Sequence, residues 1–368
     1  MSDQLARTKV NTKWPRRRRM MAWTVATILI GSMLLPLSGY VYIAVNDAFA
    51  QQQAGSEASS ADKQTNPRAN YWRAVRQGYD GYTAVTGPYA TNVLIQNGGQ
   101  NWRQLRNGPA SSFSAWILAI VVGAIVLFTI VRGRIKMRHA ATSGKTVERW
   151  SMNERVLHWY VAVLFIILSI SGLSILFGRE VLIPLLGYAG FGIFANVAIA
   201  LHDYLGPFFV IGVLIEIVVW FKDMLPESTD MEWLRRGGGF FAKNAAHPSA
   251  GHINAGEKYL TYWLGLVLMG GAVCVTGIIM DFPIFGQARE TMQVSNLIHG
   301  IASIIWLSLT LGHIYLGAWA VEGVLTGMTT GRVSSEWAKE HHDLWYEREG
   351  RKTEVAGDKA SRATARTV

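Results

Sequence analysis

The chain has 368 residues, half of them hydrophobic, and a formal net charge of +10. The apolar residues fall in blocks close to the ~20 residues that cross a hydrocarbon core ~30 Å thick. The basic residues flank those blocks, which argues for membrane insertion and against nucleic-acid binding. Cys274 is the one cysteine, which excludes an internal disulfide and an iron–sulfur cluster held by this chain's own thiolates.

Residues 1–50 read as a signal or anchor segment. A polar start ends in Arg16, Arg17, Arg18 and Arg19, an apolar run follows from Met21 to Val45, and Ala48-Phe49-Ala50 has the form of a signal-peptidase site. Cleavage after Ala50 and retention as an anchor both stay open, and both send the next segment across the membrane. Residues 51–112 are expected to be a periplasmic linker and small module, with turn signals at Gly87-Pro88 and Asn97-Gly98-Gly99. Residues 113–149 hold an apolar block from Phe113 to Val131 and then a loop with Arg132, Arg134, Lys136 and Arg138.

Four more blocks follow, Val156 to Gly178, Ile193 to Phe221, Tyr259 to Met280 and Met292 to Val321, within a bundle expected over 150–330. The loops alternate in charge. Segment 132–149 carries six Lys/Arg and 222–258 carries five, whereas the loops after Gly178 and after Met280 carry one each, Arg179 and Arg289. Basic loops stay cytoplasmic. The expected protein is therefore an all-α, multi-pass protein of the bacterial inner membrane, with residues 51–112 outside and a cytoplasmic tail over 331–368. It has six membrane helices, or five if the first is removed.

Four of the nine histidines lie within spans: His158, His202, His299 and His313. The topology gives each a depth. His202 and His299 fall together toward the outer side, and His158 with His313 toward the cytoplasm. His299 and His313 are fourteen residues apart. At 100° per residue that is within ~40° of whole turns, so they share one helix face ~21 Å apart. Fourteen residues beyond His158 stands Gly172, at the depth of the outer pair, where a missing side chain leaves room for a flat ring. Gly206, Gly300 and Gly312 flank the same histidines and permit close approach.

Two imidazoles without a third ligand do not complete a zinc or copper site. They do complete an iron already held by four porphyrin nitrogens. With both axial positions filled, electron transfer is the fitting task. The spacing thus points to two b haems, each with a pair of histidine ligands on its iron.

At these residues the chain resembles the gamma subunit of respiratory formate dehydrogenase, a di-haem cytochrome b, in an extended form with an extra N-terminal region. The matching landmarks are Val156-Leu157-His158-Trp159, Leu201-His202 with Gly206, Asn254-Ala255-Gly256, Leu297-Ile298-His299, Gly312-His313-Ile314-Tyr315 and the tail Lys339-Glu340-His341-His342. They cover roughly 150–350. The resemblance implies a four-helix di-haem bundle preceded by one or two further membrane segments. It also implies a molybdenum or tungsten pterin alpha subunit that oxidises formate, and an iron–sulfur beta subunit that passes electrons to the outer haem. Quinone is then reduced beside the inner haem, in a pocket that carries over to Asn254, Gly256 and His313. For Asn254-Ala255-Gly256 the plainer reading is a turn that starts a helix.

Other readings are a cytochrome b of a hydrogenase or thiosulfate-reductase complex, and a transporter or haem-free scaffold. A transporter is disfavoured by the scarcity of ionisable groups at midplane. Glu216 lies in a span fourteen residues after His202 and reads either as a proton carrier for quinone or as an end residue reaching the interface. His139, His247, His252, His341 and His342 are expected at the surface. Trp159, Trp220, Trp263 and Trp319 read as interfacial anchors, and Cys274 as a small packed residue.

Overall fold

The computed structural model describes residues 81–82, 93–95, 97–139, 141–241 and 246–356. The first apolar run, its cleavage motif and most of the 51–112 module lie outside these residues.

Strands β1 (Gly81–Tyr82) and β2 (Val93–Ile95) form a small antiparallel pair. Helix begins at Asn97, where the Asn-Gly-Gly run suggested a turn, and continues through Ser111 to Arg132. Pro109 sits in a wide turn, Arg106–Ala110. It lacks the N–H a regular helix needs, and the local change of hydrogen-bond register keeps the helix continuous. The part long and apolar enough to cross a membrane is α1 (Asn101–Arg132). Most of its surface is bare of protein, with Trp116 69% exposed, as a lipid-facing helix requires. The side that does pack lies along the last long helix, and the Thr129 hydroxyl donates to the Tyr315 hydroxyl at 2.9 Å.

After strand β3 (Lys145–Glu148) comes α2 (Met152–Trp220), started by Ser151. The Ser151 hydroxyl accepts from the Glu154 N–H, while the Glu154 carboxylate accepts from the Ser151 N–H at 2.8 Å. This reciprocal cap satisfies two donors that the helix start would otherwise leave bare. At 1.5 Å per residue, 69 residues would reach roughly 100 Å. The helix instead breaks at Gly187, whose φ of 68° suits a residue without Cβ.

The arms 152–186 and 188–220 fold back on one another. Gly178 faces Phe191, Gly172 faces His202, and Gly212 faces Tyr160 and Val161. The Tyr160 hydroxyl donates to the Phe208 carbonyl at 3.0 Å. Small residues let the backbones close up where burial of apolar surface gives no driving force within lipid. The loop expected after Gly178 is helical except at Gly187.

Next come the short helix α3 (Asp230–Arg235) and two further long helices, α4 (Glu257–Asp281) and α5 (Arg289–Ala320). Four helices, α1, α2, α4 and α5, are long and apolar enough to cross a membrane. Both arms of α2 pack with α4 and α5 around Leu157, Phe208, Phe209, Val213, Leu266 and Trp306.

The tail is a folded cap, which neither "loop" nor "all-α" anticipates. After α6 (Val324–Thr330), strand β4 (Arg332–Ser334) pairs antiparallel with β3, matching Val147 to Val333. Helices α7 (Ser335–His341) and α8 (Asp343–Arg348) follow, and β5 (Val355–Ala356) completes the sheet on the other edge of β3. Trp337, Trp345 and Tyr346 close over Val147 and Val333 in a second core.

This cap corrects the surface placement of the two tail histidines and of His247, whose side chain is 7% exposed. His342 is 2% exposed and its Nδ1 donates to the Gly251 carbonyl at 2.8 Å. Burial holds its imidazole well below the ordinary value, and the Arg149 cation pushes the same way. Burial holds His341 down to about 3, with His247 adding to the effect. His139 stays exposed. Trp159 and Trp319 are exposed, but Trp220 is 7% exposed and packs edge-on against Trp150, so it belongs to the core rather than the interface.

Candidate functional site

The fold brings the four span histidines into two facing pairs. The ring centroids of His202 and His299 are 6.1 Å apart, and those of His158 and His313 are 6.3 Å apart. With metal–imidazole bonds of about 2 Å on each side and about 1 Å from nitrogen to ring centre, two imidazoles across one iron stand about 6 Å apart. The fit holds at both levels. α5 stays helical from Arg289 to Ile314, so His299 and His313 keep the ~21 Å separation and shared face of the sequence reading.

The pair His202–His299, at the end away from the basic loops, borders a cavity of about 700 Å³. Small-molecule and cofactor pockets run roughly 300–1,000 Å³. Gly206 and Gly300 line it and have open space where a Cβ would stand. At Gly172 an added Cβ would lie 3.2 Å from the His202 ring, and at Gly277 3.3 Å from the His299 ring. Arg106, Ala110 and Ser114 of α1 line the same cavity, so the N-terminal extension contributes to its wall.

Two hydroxyls missed in the sequence orient this pair. The Ser171 hydroxyl lies 2.9 Å from Nδ1 of His202, and the Thr276 hydroxyl 3.2 Å from Nδ1 of His299. Each also donates to a carbonyl one turn back, Ile167 at 3.0 Å and Ala272 at 2.6 Å. Their lone pairs are therefore left to accept. The Val273 carbonyl, 3.0 Å from Nδ1 of His299, accepts and cannot donate, which puts the proton on Nδ1 and the lone pair on Nε2. Histidines that hold a metal carry a second contact of this kind. The signal was legible: a hydroxyl residue directly before glycine occurs in both partner spans, Ser171-Gly172 and Thr276-Gly277.

Trp306 stands midway between His299 and His313 on α5, 6% exposed, with Phe165 at 5.1 Å and Phe209 at 5.5 Å between ring centroids. This aromatic cluster fills the bundle between the two levels. Gly270 leaves room for it, since a Cβ there would lie 2.9 Å from the Trp306 ring.

The pair His158–His313, at the basic end, has sparser support. Nδ1 of His158 is buried with no hydrogen-bond partner among the described residues. Glu216 is buried in its span and does not reach the surface.

Asn254 and Gly256 open α4 at the same end. The Asn254 side-chain oxygen accepts from the Glu257 N–H at 3.0 Å, and the Glu257 carboxylate accepts from the Asn254 N–H at 3.1 Å. The motif is thus a helix-starting cap, and the Asn254 amide NH₂ remains beyond it as a donor. A Cβ on Gly256 would lie 2.8 Å from the Trp233 ring, so that space belongs to Trp233. Just below, Lys258 is 1% exposed and donates to Glu227 at 3.0 Å and Asp230 at 3.1 Å. A cation buried this deeply persists only when paired.

Apolar helices with histidines facing one another at two depths define a membrane-embedded cytochrome b. Residues 149–331 match the family model for prokaryotic cytochrome b561, and the chain belongs to that family, which implies b-type haem. Among characterised proteins it is similar to the nitrate-inducible formate dehydrogenase cytochrome b556(Fdn) subunit of Escherichia coli K12. The two are 31% identical over 211 residues, 56% of this chain and 92% of that protein. The cytochrome b556(fdo) subunit of the same organism is 29% identical, over 56% of this chain and 95% of its own length. The formate dehydrogenase cytochrome b556 subunit of Haemophilus influenzae is 28% identical, over 53% and 80%. The additional N-terminal region lies outside these matches.

Proposed function

We propose that this chain is the membrane subunit of a formate dehydrogenase, carrying electrons from an iron–sulfur partner outside to quinone at the cytoplasmic side. The observation that carries the reading is the pair of imidazole pairs, 6.1 and 6.3 Å between ring centroids, stacked along α5. His202 with His299 and His158 with His313 would each hold one b haem. Bound there, haem would supply reversible one-electron transfer. The similarity to formate dehydrogenase cytochrome subunits supports a pterin alpha subunit and an iron–sulfur beta subunit as partners.

The chain's own residues set direction and access. The basic connections and tail lie at the His158–His313 end, which supports placing that end in the cytoplasm. The Asn254 side-chain oxygen is held by its own helix cap, and its amide NH₂ would donate to a quinone carbonyl at that end. The wall beside Gly256 is supplied by Trp233. Quinone reduction takes up protons, and drawing them from the cytoplasm while formate oxidation releases its proton outside stores about 2.3 kcal/mol per charge per 100 mV.

The test is a reduced-minus-oxidised spectrum with pyridine haem quantification on the purified complex. Two low-spin b haems per chain, both reduced on adding formate, are expected. One haem or none refutes the paired assignment. Two haems that hydrogen or thiosulfate chemistry addresses and formate does not would reassign the partner.

A further inference from the structure

The folded cap holds a cluster of donors that the electron path does not use. His247 comes from the connection between α3 and α4, and Glu340 and His341 come from the end of α7. One donor atom from each lies within 4.8 Å of the other two. We infer that His247, Glu340 and His341 form a three-ligand site for a zinc-class divalent ion, which ties the tail to the connection ahead of α4.

The arrangement of the rings carries the case. Nδ1 of His247 lies 3.0 Å from the Gly238 carbonyl, and Nδ1 of His341 lies 3.2 Å from the Trp337 carbonyl. A carbonyl only accepts, so both rings carry their proton on Nδ1 and turn the Nε2 lone pair inward. This is how imidazole is presented to a metal. Nε2 of His341 is buried and has no hydrogen-bond partner among the described residues. Nε2 of His247 is 4.0 Å from the Glu340 carboxylate, too far for a hydrogen bond. Two donors on one tetrahedral ion with bonds of about 2.0–2.1 Å stand about 3.4 Å apart, so donors that lie within 4.8 Å of one another close by about an ångström to grip it.

The acid is oriented too. The Glu340 carboxylate accepts from the Arg138 N–H through both oxygens, at 3.1 and 3.0 Å. Trp337 stacks on His341 at 4.8 Å between ring centres and an angle of 10°, which fixes the plane of that ring. The guanidinium charges of Arg132 and Arg138 act on His247, and that of Arg149 on His341. These oppose a bound cation. Glu340 is the anion that offsets them, so it is the ligand whose charge matters most.

Two imidazoles and one carboxylate leave a fourth tetrahedral position for water. The ligands belong to segments far apart in sequence, and the amide that holds Glu340 belongs to a third. An ion here therefore joins three parts of the basic end.

The test uses the full-length chain in its complex, purified without a polyhistidine tag, stripped with a chelator and dialysed against zinc. One zinc per chain is expected, with an absorption-edge spectrum showing two imidazole nitrogens at about 2.0–2.1 Å and at least one oxygen. His247→Ala and Glu340→Gln should each weaken zinc binding at least tenfold while the haem spectrum stays unchanged, and His139→Ala should not. Absence of zinc, or a zinc spectrum without imidazole scattering, overturns the site in the unaltered protein, whatever the variants do. Equal zinc affinity in wild type and His247→Ala overturns it as well.

Discussion

The two histidine pairs have the same ring separation to within 0.2 Å and quite different surroundings. At His202–His299 both Nδ1 atoms have hydroxyl partners, two glycines abut the rings, and a 700 Å³ cavity opens beside them. At His158–His313, Nδ1 of His158 has no hydrogen-bond partner among the described residues, and no described glycine abuts either ring. The first is a lined chamber that fixes its ligands. The second lacks those contacts and lies at the end where α4 starts with a spare amide. A carrier that only receives and passes electrons is served by the first arrangement. A carrier that must meet a diffusible quinone is served by the second.

The largest expected effect separates the pairs outright. His299→Ala should leave one b haem per chain, held by His158 and His313, and His313→Ala should leave the other. Pyridine haem quantification reads the count, and two haems in both variants would dissolve the pairing. Next comes Asn254→Leu. Both haems should remain reducible by formate in the complex, with reoxidation by added quinone slowed at least tenfold in stopped flow. Reoxidation at the wild-type rate would move the quinone site elsewhere.

A smaller effect is expected from the hydroxyls. Ser171→Ala and Thr276→Val should keep two haems but weaken retention of the one at His202–His299 about 10- to 100-fold, as loss of an orienting contact does. Redox titration should show one midpoint potential displaced and the other fixed. Displacement of both would mean that the two levels are not independent. The smallest change is Gly172→Ala. Its Cβ at 3.2 Å from the His202 ring needs a shift of a few tenths of an ångström. The low-temperature spectrum should broaden in one haem band only.

Much of the transmembrane architecture is legible in single helices. A rise of 1.5 Å and a turn of 100° per residue are local properties, so the relation of His299 to His313 follows from their spacing alone. The same arithmetic places Gly172 at the level of His202, where it does stand. The break at Gly187 was not legible as such. A loop was expected over a longer stretch, whereas both arms of α2 stay helical up to Gly187, where the positive φ makes the turn.

The contacts between distant segments were decided by tertiary structure. Ser171 meets His202 and Thr276 meets His299 only because the helices that carry them pack at a particular rotation. Trp306 becomes the filling between the levels because Phe165 and Phe209 arrive from the two arms of α2. The cap is the strongest case. A short tail rich in charges of both signs, with paired histidines, has the composition of a solvated end, yet β3 lies between β4 and β5, from the far end of the chain, and Val147 pairs with Val333 across that gap. No periodicity within either segment encodes that pairing. Burial of His342, and the convergence of His247 with Glu340 and His341, follow from it and from nothing nearer in the sequence.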